Sequence, residues 1–145
     1  MRKASKILFL IGGIVSIVCA IYWLVFGIIC TVIPNLPEFY DAFIESWNKN
    51  PQPGVTADEA YAAFKGVMIA LGVLLYITVA CAGVNSFFSF KAFNDTRKNG
   101  KPTTAINVLN IVFGVLGGVL VNIVGAIFAF VANGQEDRRA ALEKK

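Results

Sequence analysis

The chain has 145 residues, of which 57% are hydrophobic and only 15% charged, with 13 Lys/Arg, 9 Asp/Glu and a net charge of +4. A soluble domain carries roughly 25% charged residues, so this composition excludes an ordinary water-soluble globule and makes the lipid bilayer the expected solvent. The chain has no histidine, which removes the commonest general base and a frequent metal ligand.

The first apolar segment, residues 7–33, follows Arg2, Lys3 and Lys6 and holds no charge over 27 residues. It exceeds the 20 or so residues that cross a bilayer. It is also far longer than a signal-peptide core, and no A-x-A cleavage site follows it, so it is expected to stay in the membrane. Gly12, Ser16, Cys19, Trp23, Gly27 and Cys30 share one helical face, a small-residue stripe suited to close helix packing.

Residues 34–65 form a loop carrying Glu38, Asp41, Glu45, Asp58 and Glu59 against Lys49 and Lys65. Within it Phe39, Tyr40, Phe43, Ile44 and Trp47 recur at helical spacing, with the acidic residues opposite. This pattern predicts an amphipathic helix at the membrane interface. Its aromatic face is expected at headgroup level, with Phe43 and Trp47 packed there. Asp41 and Glu45 are expected to stay exposed and available to a basic partner. The stretch Asn50-Pro51-Gln52-Pro53-Gly54 is a turn, and Thr56-Ala57-Asp58-Glu59 is a capping box that starts the next helix near Ala57.

Residues 66–90 are a second uncharged run of 25, and residues 105–132 a third of 28. The connection 91–104 holds Lys91, Arg97, Lys98 and Lys101, and the tail 133–145 holds Arg138, Arg139, Lys144 and Lys145. Positive-inside counting places the N-terminus and the 91–104 connection in the cytoplasm and the acidic loop outside. If the third run crosses once, the basic residues split seven to six. If it folds back as a hairpin they split eleven to two, and Lys145 is inside. On one continuous helix, Asn107, Asn110, Gly114, Gly118, Asn122, Gly125 and Ala129 form a single small and polar stripe. Against continuity, Gly117-Gly118 is a weak point. Charge favours the hairpin, with arms of roughly 102–116 and 119–135.

The expected fold is therefore all-α: one integral membrane helical bundle, with three or four transmembrane helices and an outer amphipathic helix. Its packing is assigned to Gly12, Ser16, Gly114, Gly118, Gly125, Asn110 and Asn122. Cys19, Cys30 and Cys81 lie singly in apolar runs and are expected to be buried hydrophobes rather than disulfides or metal ligands. No ionisable group lies in the three runs, which argues against ion-coupled transport. The sequence has no HExxH, nucleophile elbow or phosphate-binding glycine loop, so neither enzymatic activity nor a cofactor is expected. The basic clusters flank apolar runs and indicate topology and lipid contact rather than nucleic acid.

The basic start leads into Ile11-Gly12-Gly13-Ile14, and a Lys101-Pro102 connection precedes a glycine-rich close. That close runs through Leu109-Asn110-Ile111-Val112-Phe113-Gly114 and Ile123-Val124-Gly125-Ala126-Ile127-Phe128. In these features the chain resembles a group of small multi-pass bacterial membrane proteins of unknown function. The resemblance covers nearly the whole chain, implies a paired-helix end and carries over no functional residues. The expected function is that of an accessory, regulatory or protective membrane protein in a multi-pass, cell-membrane setting. It would act on a membrane partner or on itself. A small transporter or oligomeric pore, and an immunity-type protein against a membrane toxin, are the alternatives.

Overall fold

Long uninterrupted apolar segments without proline satisfy their backbone groups most simply as helices, and the chain does so almost throughout. The computed structural model describes residues 2–98 and 100–143, without the side chains of residues 139 and 140. Lys145, whose side of the membrane the sequence predicts, lies outside the described residues. The elements are α1 (Arg2–Val32), a 3-10 turn (Ile33–Asn35), α2 (Pro37–Lys49), α3 (Ala57–Lys98), α4 (Thr104–Leu116) and α5 (Leu120–Leu142), with no strand among the described residues. Of these, α1 and α3 are long and apolar enough to cross a membrane, whereas α4 is a shorter apolar helix.

The chain divides into two compact units, Met1–Ile21 with Thr78–Lys145, and Tyr22–Ile77. In the first, the start of α1, the end of α3, α4 and α5 enclose a core of Phe9, Ala92, Ile106, Ala126 and Ala129, backed by Phe93 and Ile111. The alanines let backbones approach closely. The third apolar run is broken at Gly117–Gly118, and the two arms pack on each other. The break is a Schellman turn. Gly118 takes φ +71°, its N–H donates to Val115 O at 3.2 Å, and Val119 N–H donates to Gly114 O at 2.7 Å. At the open end of the hairpin, Asn133 Nδ2 donates to Pro102 O at 3.3 Å and Lys101 pairs with Asp137 at 3.3 Å. The arms therefore run antiparallel. Arg2 joins the same end, donating to Gly100 O and pairing with Glu136.

In the second unit, Gly27 of α1 faces Tyr76 of α3, and the Tyr76 hydroxyl lies 2.9 Å from Thr31 Oγ1. Tyr61 Oη donates to the carbonyl of buried Pro34 at 2.6 Å, tying the 3-10 turn to α3. The predicted capping box is present. Glu59 N–H donates to Thr56 Oγ1 at 3.3 Å, and Thr56 N–H and Oγ1 donate to Glu59 Oε2 at 2.9 and 2.8 Å.

Candidate functional site

In the first unit the buried polar residues are Ser5, Ser16, Asn85, Ser86, Ser89, Asn107, Asn110 and Asn122. None carries a charge. Ser16 Oγ donates back to Gly12 O at 2.7 Å and accepts from Asn85 Nδ2 at 3.1 Å and Asn122 Nδ2 at 3.0 Å. One hydroxyl thus joins α1, α3 and α5. Asn122 Oδ1 occupies the place that a methyl group on Gly12 would take, so only glycine at position 12 admits this asparagine. A second set lies on α3 and α4, where Ser89 Oγ donates to Asn110 Oδ1 at 2.7 Å. Asn110 Nδ2 donates to Ile106 O at 3.0 Å and Phe88 O at 3.3 Å. Two hydroxyl-to-carbonyl bonds of 3.0 Å complete the set, from Ser5 to Gly125 O and from Ser86 to Gly13 O.

The residues assigned to packing thus serve different ends. Gly12, Ser16 and Asn122 meet; Asn110 belongs to the α3–α4 set; and Gly125 lies beside Leu8 and Phe9, where a methyl group would stand 3.2 Å from Leu8 Cβ. Gly114 is packed against Val119 and Ile123 across the turn. Gly118 has nothing within 4 Å of where its methyl would be, so it is required by its positive φ and not by packing. Ser86 and Ser89 are not among the packing residues that the sequence indicates. Their signal was the spacing Ala82, Asn85, Ser86, Ser89 and Ala92 on α3, a small and polar stripe like those on α1 and α4.

Chemically the cluster offers neutral donors and acceptors and no titrating group. Asn85 Oδ1, Asn122 Oδ1 and both side-chain polar atoms of Asn107 are buried without a hydrogen-bond partner. Among the described residues, no group of three or more Cys, Asp or Glu could hold a metal ion.

The acidic loop is built differently. The aromatic face of α2 rests on the start of α3, with Phe43 5.2 Å from Tyr61 and 5.6 Å from Phe64, and Phe39 5.9 Å from Phe64. Trp47 stacks on Phe43 at 6.1 Å. Such aromatic pairs are worth about 0.5–1.5 kcal/mol each beyond area burial. The sequence places this face at headgroup level; within the chain, Phe43 rests on Tyr61 and Phe64 of α3. Asp41 is exposed, and Glu45 is exposed and pairs with Lys49 at 2.8 Å. The hydrogen bond to Asp58 pushes the Tyr40 hydroxyl above its ordinary pKa, and the bonds from Thr56 hold Glu59 below its own.

Set against protein-family models, curated proteins and solved structures, the chain has no significant match.

Proposed function

We propose that this chain is a non-enzymatic integral membrane protein, acting as an accessory, regulatory or protective partner through helix packing and its acidic loop. One observation carries the membrane reading. In the apolar stretches of α1 and α3, Ser16, Asn85, Ser86 and Ser89 are buried, whereas Ile14, Val18 and Phe87 are 52%, 61% and 64% exposed. Water would favour the reverse arrangement, and hydrocarbon favours this one.

The ends of the hairpin support a single side for both termini. Arg2, Gly100, Lys101, Glu136 and Asp137 are joined by hydrogen bonds and ion pairs within one unit. Segments 2–6, 91–101 and 133–145 of the sequence carry eleven basic residues against four acidic ones, Asp95, Glu136, Asp137 and Glu143. The loop 34–65 carries five acidic and two basic residues. The charge is thus +7 in the first set of segments and −3 in the loop, and positive-inside bias makes the first set cytoplasmic. The polar cluster contains no ionisable group, which favours an adhesive role over proton or ion relay. The exposed Asp41 is the natural contact for a basic partner.

A photo-crosslinking residue at Asp41, introduced in the native membrane, tests the partner. A discrete adduct that is lost when Glu45→Lys is added supports the reading. No adduct, together with conductance of the purified protein in liposomes, replaces it with a pore.

A further inference from the structure

We infer that α4 and α5 form a re-entrant hairpin, which enters the bilayer from the basic side, turns inside the hydrocarbon and leaves by the same side. The chain then crosses the membrane twice, by α1 and α3. This inference rests on the membrane reading above and adds a depth to it.

Two independent measures place the turn. Gly117 lies against the backbone of Ala82, where a methyl on the glycine would stand 3.1 Å from Ala82 N and Cα. Ala82 is nine residues from Lys91, about 13 Å along the helix axis. Asn122, in the first turn of α5, bonds to Ser16, which is ten residues from Lys6, or about 15 Å. The hydrocarbon layer is about 30 Å thick, so both measures put the turn near its middle. The first arm fits this depth, since α4 has 13 residues, about 20 Å of helix; α5, with 23 residues, continues past Gln135 into a polar end.

Non-helical backbone at membrane depth must be buried in protein or lie beside water. This turn meets the first condition on either side of Gly118, which is itself exposed. Gly117 and Val119 are buried, and the N–H groups of Gly117, Gly118 and Val119 are bonded within the turn to Phe113, Val115 and Gly114. What the tip exposes is apolar: Val115 at 63%, Leu116 at 55% and Leu120 at 73%. Acyl chains suit such a tip, and the aqueous headgroup region does not. The same depth places the Ser16, Asn85 and Asn122 cluster at mid-bilayer, where its hydrogen bonds face no competition from water.

The test uses the full chain with Trp23→Phe and Trp47→Phe, reconstituted in phosphatidylcholine vesicles brominated near the headgroup, at mid-chain or near the chain end. A single tryptophan is placed by Leu120→Trp or, separately, Leu116→Trp, both at exposed positions. Quenching several-fold stronger from chain-end bromines than from headgroup bromines is expected at both. Strongest quenching from headgroup bromines would overturn the re-entrant hairpin and make α4 and α5 full crossings. A control tryptophan from Ile77→Trp, on α3, reports the membrane reading alone. Quenching there but a shallow position at 116 and 120 rejects only the hairpin depth, whereas no quenching at Ile77→Trp by any lipid rejects the membrane reading itself.

Discussion

Asn122 Nδ2 donates to Ser16 Oγ at 3.0 Å across 106 residues of sequence, and the Asn122 oxygen fills the space beside Gly12. Gly12→Ala should therefore expel Asn122 and lower thermal stability in detergent, by about 1–3 kcal/mol on the usual scale of overpacking. Gly66→Ala, where nothing lies within 4 Å, should be neutral. Adding Asn122→Ala to Gly12→Ala should recover part of the loss, because the overlap disappears with the amide. A double-mutant cycle on the unfolding midpoint measures this coupling. Strict additivity would place Asn122 away from Gly12.

Asn107 and Asn110 sit one turn apart on α4 and are both fully buried, but only Asn110 has side-chain partners. Removing a partnered amide leaves the Ser89 hydroxyl without its acceptor, whereas removing an unpartnered one relieves a desolvation penalty of about 1–3 kcal/mol. Asn107→Leu should thus raise the unfolding midpoint and Asn110→Leu lower it. The same direction for both would show that the two amides are held alike.

Much of this arrangement is legible in the sequence because it is local. Gly117-Gly118, the Thr56 to Glu59 box and the aromatic spacing from Phe39 to Trp47 each specify a turn, a cap or a face from neighbouring residues alone. On one continuous helix Asn107, Asn110, Gly114, Gly118, Asn122, Gly125 and Ala129 share a stripe. Gly118 is instead exposed in the turn and the other members are buried on two arms, since the glycine pair reverses the chain while each arm keeps its own period. What periodicity withholds is the partner of a face. Nothing in the spacing of α2 says that Phe43 meets Tyr61, or in that of α1 that Ser16 meets both Asn85 and Asn122. Ser86 and Ser89 carry little sequence signal because a hydroxyl changes hydropathy little within a long apolar run.

Gly118 and Gly114 should respond to substitution for different reasons. Gly118 holds φ +71° in open space, so Gly118→Ala should cost about 1–2 kcal/mol of left-handed strain, and Gly118→Asn less, since asparagine tolerates this conformation. Gly114→Ala meets Ile123 Cγ1 at 3.0 Å and Val119 O at 3.2 Å, and asparagine there should be worse than alanine. Thermal unfolding of the four variants checks the reversal of order. Asparagine worse than alanine at both positions would remove the conformational role of Gly118.

Glu59 accepts from the backbone N–H of Thr56 and then from its hydroxyl, and these bonds hold its carboxyl below the ordinary glutamate range. A carboxyl whose pKa falls on folding stabilises the folded state at pH values above its unfolded pKa. That contribution is lost as pH drops through the lowered, folded value. The start of α3 should accordingly fray on acidification below the ordinary carboxyl range and be unaffected between neutral and mildly alkaline pH. Thr56→Val keeps the N–H but loses the hydroxyl, so the Glu59 pKa should move part of the way back up, whereas Thr56→Ser should preserve it. The Glu59 side-chain carbonyl carbon shift, followed by NMR against pH in both variants, reads this directly. An unchanged midpoint in Thr56→Val would mean that the hydroxyl contributes nothing and that the backbone N–H alone sets the shift.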